Sequence, residues 1–249
     1  MPDLPNRPRA SPPAPPAHPV LVFSDVDETL YSGKSLFDFL DFYFTGLYGP
    51  EGAGHVAETR RRIAVLADTG APRETANRAY YEAWRGERIA VVREWGTRWF
   101  AQRSRADGFY VPAVRAALRT HRHRGDRIAL VSGSFSAVLD PIASDIGARH
   151  VLCTRPELSD GVYTGDVSGE PCIGEGKRRA VRELVARYPH IMPADCHGYG
   201  DHLSDLPMLT EVGHPVVVGG SPELLARLPR ARVLPRHAAV SPTASNCHT

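Results

Sequence analysis

A short apolar run, Val20 to Ser24, leads straight into three acids in the stretch FSDVDETL, Phe23 to Leu30. Crowding negative charge at the end of a buried strand is unfavourable unless a cation or a reaction requires it. Asp25 and Asp27 stand two apart, so an extended strand would turn both to one side. Two such carboxylates repel, and one gives up its charge unless a cation lies close by. A hard, oxygen-seeking ion such as Mg²⁺ suits the pair, and a third carboxylate would strengthen the site. Asp201, at the end of the run DCHGYG, is the natural supplier. Asp205 lies four residues on, within reach as a ligand or as support for one.

An anionic substrate makes sense of the remaining pieces. Ser132, Gly133 and Ser134 offer a hydroxyl and open backbone N–H groups ahead of a helix, a usual phosphate cradle. Lys177, in GEGK, opens another helix and brings a compact positive charge. Of the 30 lysines and arginines, only Lys34 and Lys177 are lysine, so each is worth inspecting. Metal, lysine, backbone donors and acids together describe phosphoryl transfer.

The elements that must position these residues alternate. Strands are expected at Val20–Ser24, Arg127–Val131 (ending at Ser132), His150–Thr154, Asp195–Tyr199 and His214–Val218, and a small hairpin over 160–169. Helices are expected over 114–121, 136–146, 177–187 and 205–212. Strands alternating with helices imply a parallel sheet covered on both faces, a Rossmann-like α/β fold. Sites in such sheets lie at the carboxyl ends of the strands. FSDVDE, LVSGS and GYGDHLSD all fall there, which is the structural argument for one site.

The bulk numbers allow one large domain, or a core with an inserted smaller one, at 249 residues. A 42% apolar fraction is ordinary for a globular chain, and a net charge of +2 argues against a nucleic-acid partner. The four cysteines are scattered without a C-x-x-C pair, so a reducing cytoplasm is the expected location. No apolar run approaches the roughly 20 residues of a membrane span. No signal peptide is expected either, because residues 1–18 form a proline-rich segment read as disordered, as is 237–249.

Four motifs in this order resemble the haloacid dehalogenase superfamily of phosphatases, in its phosphoserine-phosphatase-like branch (subfamily IB). DVDET is similar to the family's D-x-D-x-T, LVSGS to its strand ending in Ser or Thr, GEGKRRAV to its lysine motif and GYGDHLSDLPML to its G-D-x-x-x-D motif. The resemblance spans roughly residues 20–220. It implies Asp25 as nucleophile, accepting the phosphoryl group as an aspartyl-phosphate, and Asp27 as general acid and then base. It implies Mg²⁺ held by Asp25, Asp201 and the backbone carbonyl of Asp27, with Ser132 and Lys177 on the phosphoryl oxygens. Asp205 would orient a metal-bound water or Lys177. An aspartate at position 27 goes with phosphatases and phosphomutases of the superfamily rather than with its dehalogenases or ion pumps.

About a hundred residues separate Asp25 from Ser132, far more than a βα connection needs. Residues 35–110, rich in aromatics at helical spacing, are therefore expected to form a helical cap on a core of 19–34 and 111–236. Caps of this family close over small substrates, so a small phosphorylated metabolite is the expected partner, with no nucleic acid and no membrane. Similar phosphoserine phosphatases carry a glutamate shortly after D-x-D-x-T to meet the substrate amine. That neighbourhood here offers Lys34, which would repel an ammonium and welcome a carboxylate, phosphate or hydroxyl. The aromatics Phe37, Phe39, Tyr43, Phe44, Trp84, Trp95 and Trp99 are expected in the cap core, and the run HRHR at 121–124 at a solvated helix end. The leading expectation is a Mg²⁺-dependent phosphatase. Beside it stand a phosphotransferase using the same intermediate, phosphoserine phosphatase proper and a metabolite sensor with a spent site, and competent residues at all four motifs oppose the last.

Overall fold

A computed structural model of the chain describes residues 18–237. Within it, six strands form one parallel sheet: β1 (Leu21–Ser24), β2 (Arg127–Ser132), β3 (His150–Cys153), β6 (His197–Gly200), β7 (His214–Val218) and β8 (Arg232–Leu234). Their order across the sheet is β3-β2-β1-β6-β7-β8, and every neighbouring pair is parallel. The chain moves outward from β1 through β2 to β3, then restarts beside β1 with β6. That reversal makes the carboxyl ends of β1 and β6 the topological switch point, where open α/β sheets form their ligand crevice.

Strand alternation explains why both faces are covered. Val20, Val22, Ile128 and Leu130 join one core cluster, whereas Leu21, Phe23, Ala129 and Val131 join a second on the opposite face. The first face packs against α4 (Pro112–His123), α5 (Ser136–Ile146) and the helices between β1 and β2. The second packs against α6 (Glu175–Ala186), the short α7 (Leu206–Leu209) and α8 (Pro222–Arg227).

Between β1 and α4 lie three helices, α1 (Ser35–Asp68), α2 (Arg73–Glu82) and α3 (Ile89–Arg103). The 34-residue α1 is broken at Gly49, whose φ of 59° no L side chain adopts cheaply, and Pro50 follows without an N–H to give. The second half folds back on the first, so that Arg60 Nη2 donates to the Phe37 carbonyl at 3.0 Å. Phe39, Tyr43, Phe44, Trp84 and Trp99 are buried as their spacing predicts. Phe39 stacks on Trp84 at 5.3 Å between ring centres, and Trp84 meets Phe135 of the sheet domain at 5.3 Å. Phe37 and Trp95 are only half-buried, and Phe37 faces a cavity described below.

Several boundaries differ from the sequence reading. The hairpin pairs β4 (Pro156–Ser159) with β5 (Val162–Val167), so it starts earlier than expected, with Asp160 and Gly161 as its two-residue loop. Both take positive φ, the conformation that Asp-Gly supplies for such turns. Pro193–Asp195 is a 3₁₀ turn, which delays β6 to His197, and Leu203–Asp205 is another, which delays α7 to Leu206. His121 of the HRHR run is buried rather than solvated. Its Nδ1 lies 2.8 Å from Asp126 Oδ2 and its Nε2 2.9 Å from the Tyr199 hydroxyl, tying α4 to the sheet. The disorder expected at 1–18 and 237–249 falls, but for one residue at each end, outside the described residues.

Gly96 sets how closely α3 rests on α5, because a Cβ there would lie 1.9 Å from the Ala137 carbonyl oxygen. Gly96→Ala should therefore destabilise the protein by about 1–3 kcal/mol through backbone displacement. Urea unfolding checks this, and a change within a few tenths of a kcal/mol would mean that the contact is not close.

Candidate active site

The chain leaves β1 at Ser24, so Asp25 and Asp27 are not on an extended strand, and a tight turn rather than strand alternation aims them. The Val26 carbonyl accepts from the N–H groups of Thr29, Leu30 and Tyr31 at 3.3, 2.9 and 2.8 Å, and Glu28 sits in the left-handed region with φ 60°. The Asp25 N–H donates to the Tyr199 carbonyl at 2.9 Å, which fixes it to the end of β6. Asp27 turns to α1, where its Oδ1 accepts from the Ser35 N–H at 3.0 Å. A helix N-terminus is a favourable place for a carboxylate.

The other segments arrive from β2, α6 and β6. Lys177, in the first turn of α6, is 3% exposed and places its ammonium 2.5 Å from Asp25 Oδ1 and 2.6 Å from Asp205 Oδ1. Asp205, 1% exposed, also accepts at Oδ2 from the N–H groups of Asp201 and His202, both at 3.1 Å, and so folds the loop after β6 around itself. Asp201 Oδ1 accepts from the Thr29 hydroxyl at 3.0 Å, and its Oδ2 from Arg236 Nη2 at 2.7 Å. Ser132 ends β2, buried, with its Oγ accepting from the Ser134 N–H at 3.1 Å. Because α5 starts only at Ser136, Ser132 does not cap it. The Ser134 hydroxyl is buried with no partner among the described residues.

Asp25, Asp27, Ser132, Gly133, Lys177, Asp201, Asp205 and Lys34 all line one cavity of about 270 Å³. The segments from four remote parts of the chain thus meet. Lys34 stands at its mouth, exposed, 2.7 Å from Glu28 Oε2. It is an ion-paired rim residue rather than a free cation.

Burial dominates the electrostatics. It pushes the Asp25 carboxyl up to about 8, with Asp205 and Asp201 adding to the rise and Lys177 opposing it. Asp201 is pushed up to about 6 by burial and then by Asp205. Asp27 is raised by burial against its bonds from Ser35. Burial disfavours the charged form of Lys177, but Asp205 and Asp25 outweigh it and hold the ammonium charged. Carboxylate oxygens of Asp25, Asp201 and Asp205 lie within 4.8 Å of one another. An all-oxygen, acidic donor set in which burial raises Asp25 and Asp201 is what a hard divalent cation relieves, so the residues fit Mg²⁺.

Four residues of this site were not singled out from the sequence. Thr29 belongs to the D-x-D-x-T stretch. Asn77 and Tyr81, one turn apart on α2, both donate to the Gly133 carbonyl, at 2.9 and 2.8 Å, and hold the phosphate-cradle loop from outside. Their i, i+4 spacing places them on one face, but nothing local names the partner. Arg236, beyond β8, pairs with both Asp201 and Glu28, and no motif surrounds it.

Comparison with known proteins agrees with this architecture. The model of the haloacid dehalogenase-like hydrolases matches residues 22–210. A protein of Mycobacterium tuberculosis named as a probable phosphatase is 42% identical over 101 residues, 41% of this chain and 34% of the relative, so the match covers about a third of that relative's length. A Bordetella pertussis protein of unknown function superposes with a TM-score of 0.77 at 24% identity, covering 88% of this chain and 99% of its own. A phosphoserine phosphatase carrying a phospho-aspartyl intermediate analogue superposes with a TM-score of 0.61 at 21% identity, covering 88% and 94%. At those identities the two structures speak to the fold. Among the described residues no helix is long and apolar enough to cross a membrane. The family model spans most of the chain, and the chain belongs to the haloacid dehalogenase-like hydrolases.

Proposed function

We propose that this chain is a Mg²⁺-dependent phosphatase that hydrolyses a small phosphate monoester through an aspartyl-phosphate on Asp25. The observation that carries the reading is the Lys177 ammonium held between Asp25 and Asp205 beside Asp201, at the end of a cavity that also contains Ser132. A nucleophilic carboxylate needs neighbours that neutralise charge, and this one has a lysine and a cation-binding set.

In the first step an Asp25 carboxylate oxygen attacks phosphorus and the bond from phosphorus to the ester oxygen breaks. Asp27, whose raised pKa keeps a proton available, gives it to the departing alkoxide. In the second step Asp27 takes a proton from water as that water's oxygen attacks phosphorus, and the bond to Asp25 breaks to release phosphate. Ser132, the Gly133 loop and Lys177 would hold the phosphoryl oxygens. Asp25, Asp201 and the Asp27 carbonyl would hold Mg²⁺, with Asp205 fixing Lys177 and the Asp201 loop. Bound there, the ion would offset the repulsion between carboxylate and phosphate. The helices α1–α3 cover the cavity and would act as the cap that excludes bulk water.

Phosphate release from alcohol phosphates should require Mg²⁺, stop with EDTA and fall by roughly three or more orders of magnitude in Asp25→Asn. Asp27→Asn should lower kcat by roughly 10²–10⁴-fold. Release that survives in Asp25→Asn would remove the covalent route.

Stability without metal provides a second check. Asp25 is raised, so the folded state keeps a proton that the unfolded chain has already released. Stability is then lost as pH rises toward the folded value of about 8. Burial lowers His121, His150, His197 and His202, which are therefore largely neutral in both states above about pH 7 and contribute little there. Between about pH 7 and 8 the metal-free protein should lose about 1 kcal/mol, a slope that Asp25→Asn removes. Thermal unfolding in EDTA across that range measures it, and an unchanged slope in the variant would contradict the assignment.

A further inference from the structure

The apolar lining of the cavity comes largely from α1 and α2. Leu36, Phe37, Ile63, Ala67, Ala76 and Tyr80 supply its wall. Most of the polar groups that share the lining have a partner within the protein, although Arg73 and Lys34 keep further N–H groups and the Ser134 hydroxyl has none among the described residues. The Tyr80 hydroxyl donates to the Leu36 carbonyl at 2.9 Å, which leaves the ring and not the hydroxyl for a ligand. Asn77 uses its amide nitrogen on the Gly133 carbonyl and its oxygen on the Thr154 hydroxyl, at 2.9 and 3.3 Å. Arg73 Nη1 lies 2.7 Å from His202 Nδ1. Glu28, the lining carboxylate outside the aspartate cluster, has Oε2 on Lys34 at 2.7 Å and Oε1 on Arg236 at 3.2 Å.

A leaving group that lies along α1 and α2 therefore meets mainly hydrocarbon. A sugar would leave hydroxyls unpaired against that wall, and an ammonium would find beside the reaction-site aspartates only Glu28, whose two oxygens are taken by Lys34 and Arg236. We propose that the cavity takes the phosphomonoester of an apolar alcohol, the hydrocarbon seated on the α1–α2 wall and the phosphate beside Ser132 and Lys177. This rests on the phosphatase reading and adds the class of the leaving group.

The test is a homologous series of primary alkyl phosphates, ethyl through hexyl, set against phosphoserine and glycerol phosphate, with the full chain and Mg²⁺. Primary alkyl esters keep leaving-group acidity nearly constant, so chemistry does not imitate recognition. Each methylene that becomes buried should raise kcat/KM about fourfold, and hexyl phosphate should exceed phosphoserine by at least about tenfold. Calorimetry with the matching alkylphosphonates, which cannot be hydrolysed, should show affinity rising with chain length. Ile63→Asn, checked for folding by its thermal transition, should flatten both series.

The two readings fail separately. Hydrolysis with no chain-length dependence, or with phosphoserine or glycerol phosphate preferred, overturns the apolar class and leaves the phosphatase. Phosphonates that bind more tightly with length while no ester is cleaved overturn the phosphatase and keep the apolar ligand. Absence of both binding and hydrolysis overturns both.

Discussion

The buried ammonium of Lys177 is the interaction on which the site depends. Three carboxylates with oxygens within 4.8 Å of one another, two of them almost fully enclosed, repel one another strongly in a low dielectric. Lys177 bridges two of them, and Arg236 holds the third. Breaking such a group by removing one member leaves an uncompensated buried charge, which is why each partner constrains the others. The fold supplies the geometry through two parallel neighbours, β1 and β6, whose carboxyl ends deliver Asp25 and the Asp201–Asp205 loop to the first turn of α6.

Beside that charged floor α1 and α2 add an apolar wall. The break at Gly49 turns one long helical segment into two packed halves, and this brings Ile63 and Ala67 to the cavity that Leu36 and Phe37 also line. The stack of Phe39, Trp84 and Phe135 fixes the helices to the sheet domain, and the Asn77 and Tyr81 bonds fix them to the Gly133 loop. Recognition and chemistry are thereby coupled through α2, whose face holds both the loop that would grip phosphate and part of the wall that would grip the alcohol.

The site was legible where chemistry forces a residue type at a strand end. Asp25, Asp201, Asp205, Ser132 and Lys177 could be read because acids, a helix-opening lysine and a serine–glycine turn have few other reasons to recur at those places. Strand and helix alternation likewise exposed the parallel sheet. What escaped was set by partners remote in the chain. Arg236 has an ordinary local context, and its importance comes from Asp201 and Glu28, far from it in sequence. His121 looks like part of a charged run, yet Asp126 and Tyr199 make it a buried link. Phe37 carries the same hydrophobic signal as Phe39, and only the packing decides that one faces a cavity and the other the core. Lys34 lines the cavity where a substrate contact was expected, and its pairing with Glu28, which sits in a left-handed turn, could not be read from the sequence.

The central claim is that Asp25, and no other group, takes the phosphoryl from the ester. Rapid acid quench of the enzyme during turnover of a phosphate monoester, followed by peptide mass spectrometry, addresses it directly. The account predicts one added phosphoryl group on the peptide containing Asp25, labile to base and hydroxylamine. Phosphate released with no labelled peptide at any quench time, or a phosphoryl group on another side chain, would contradict it.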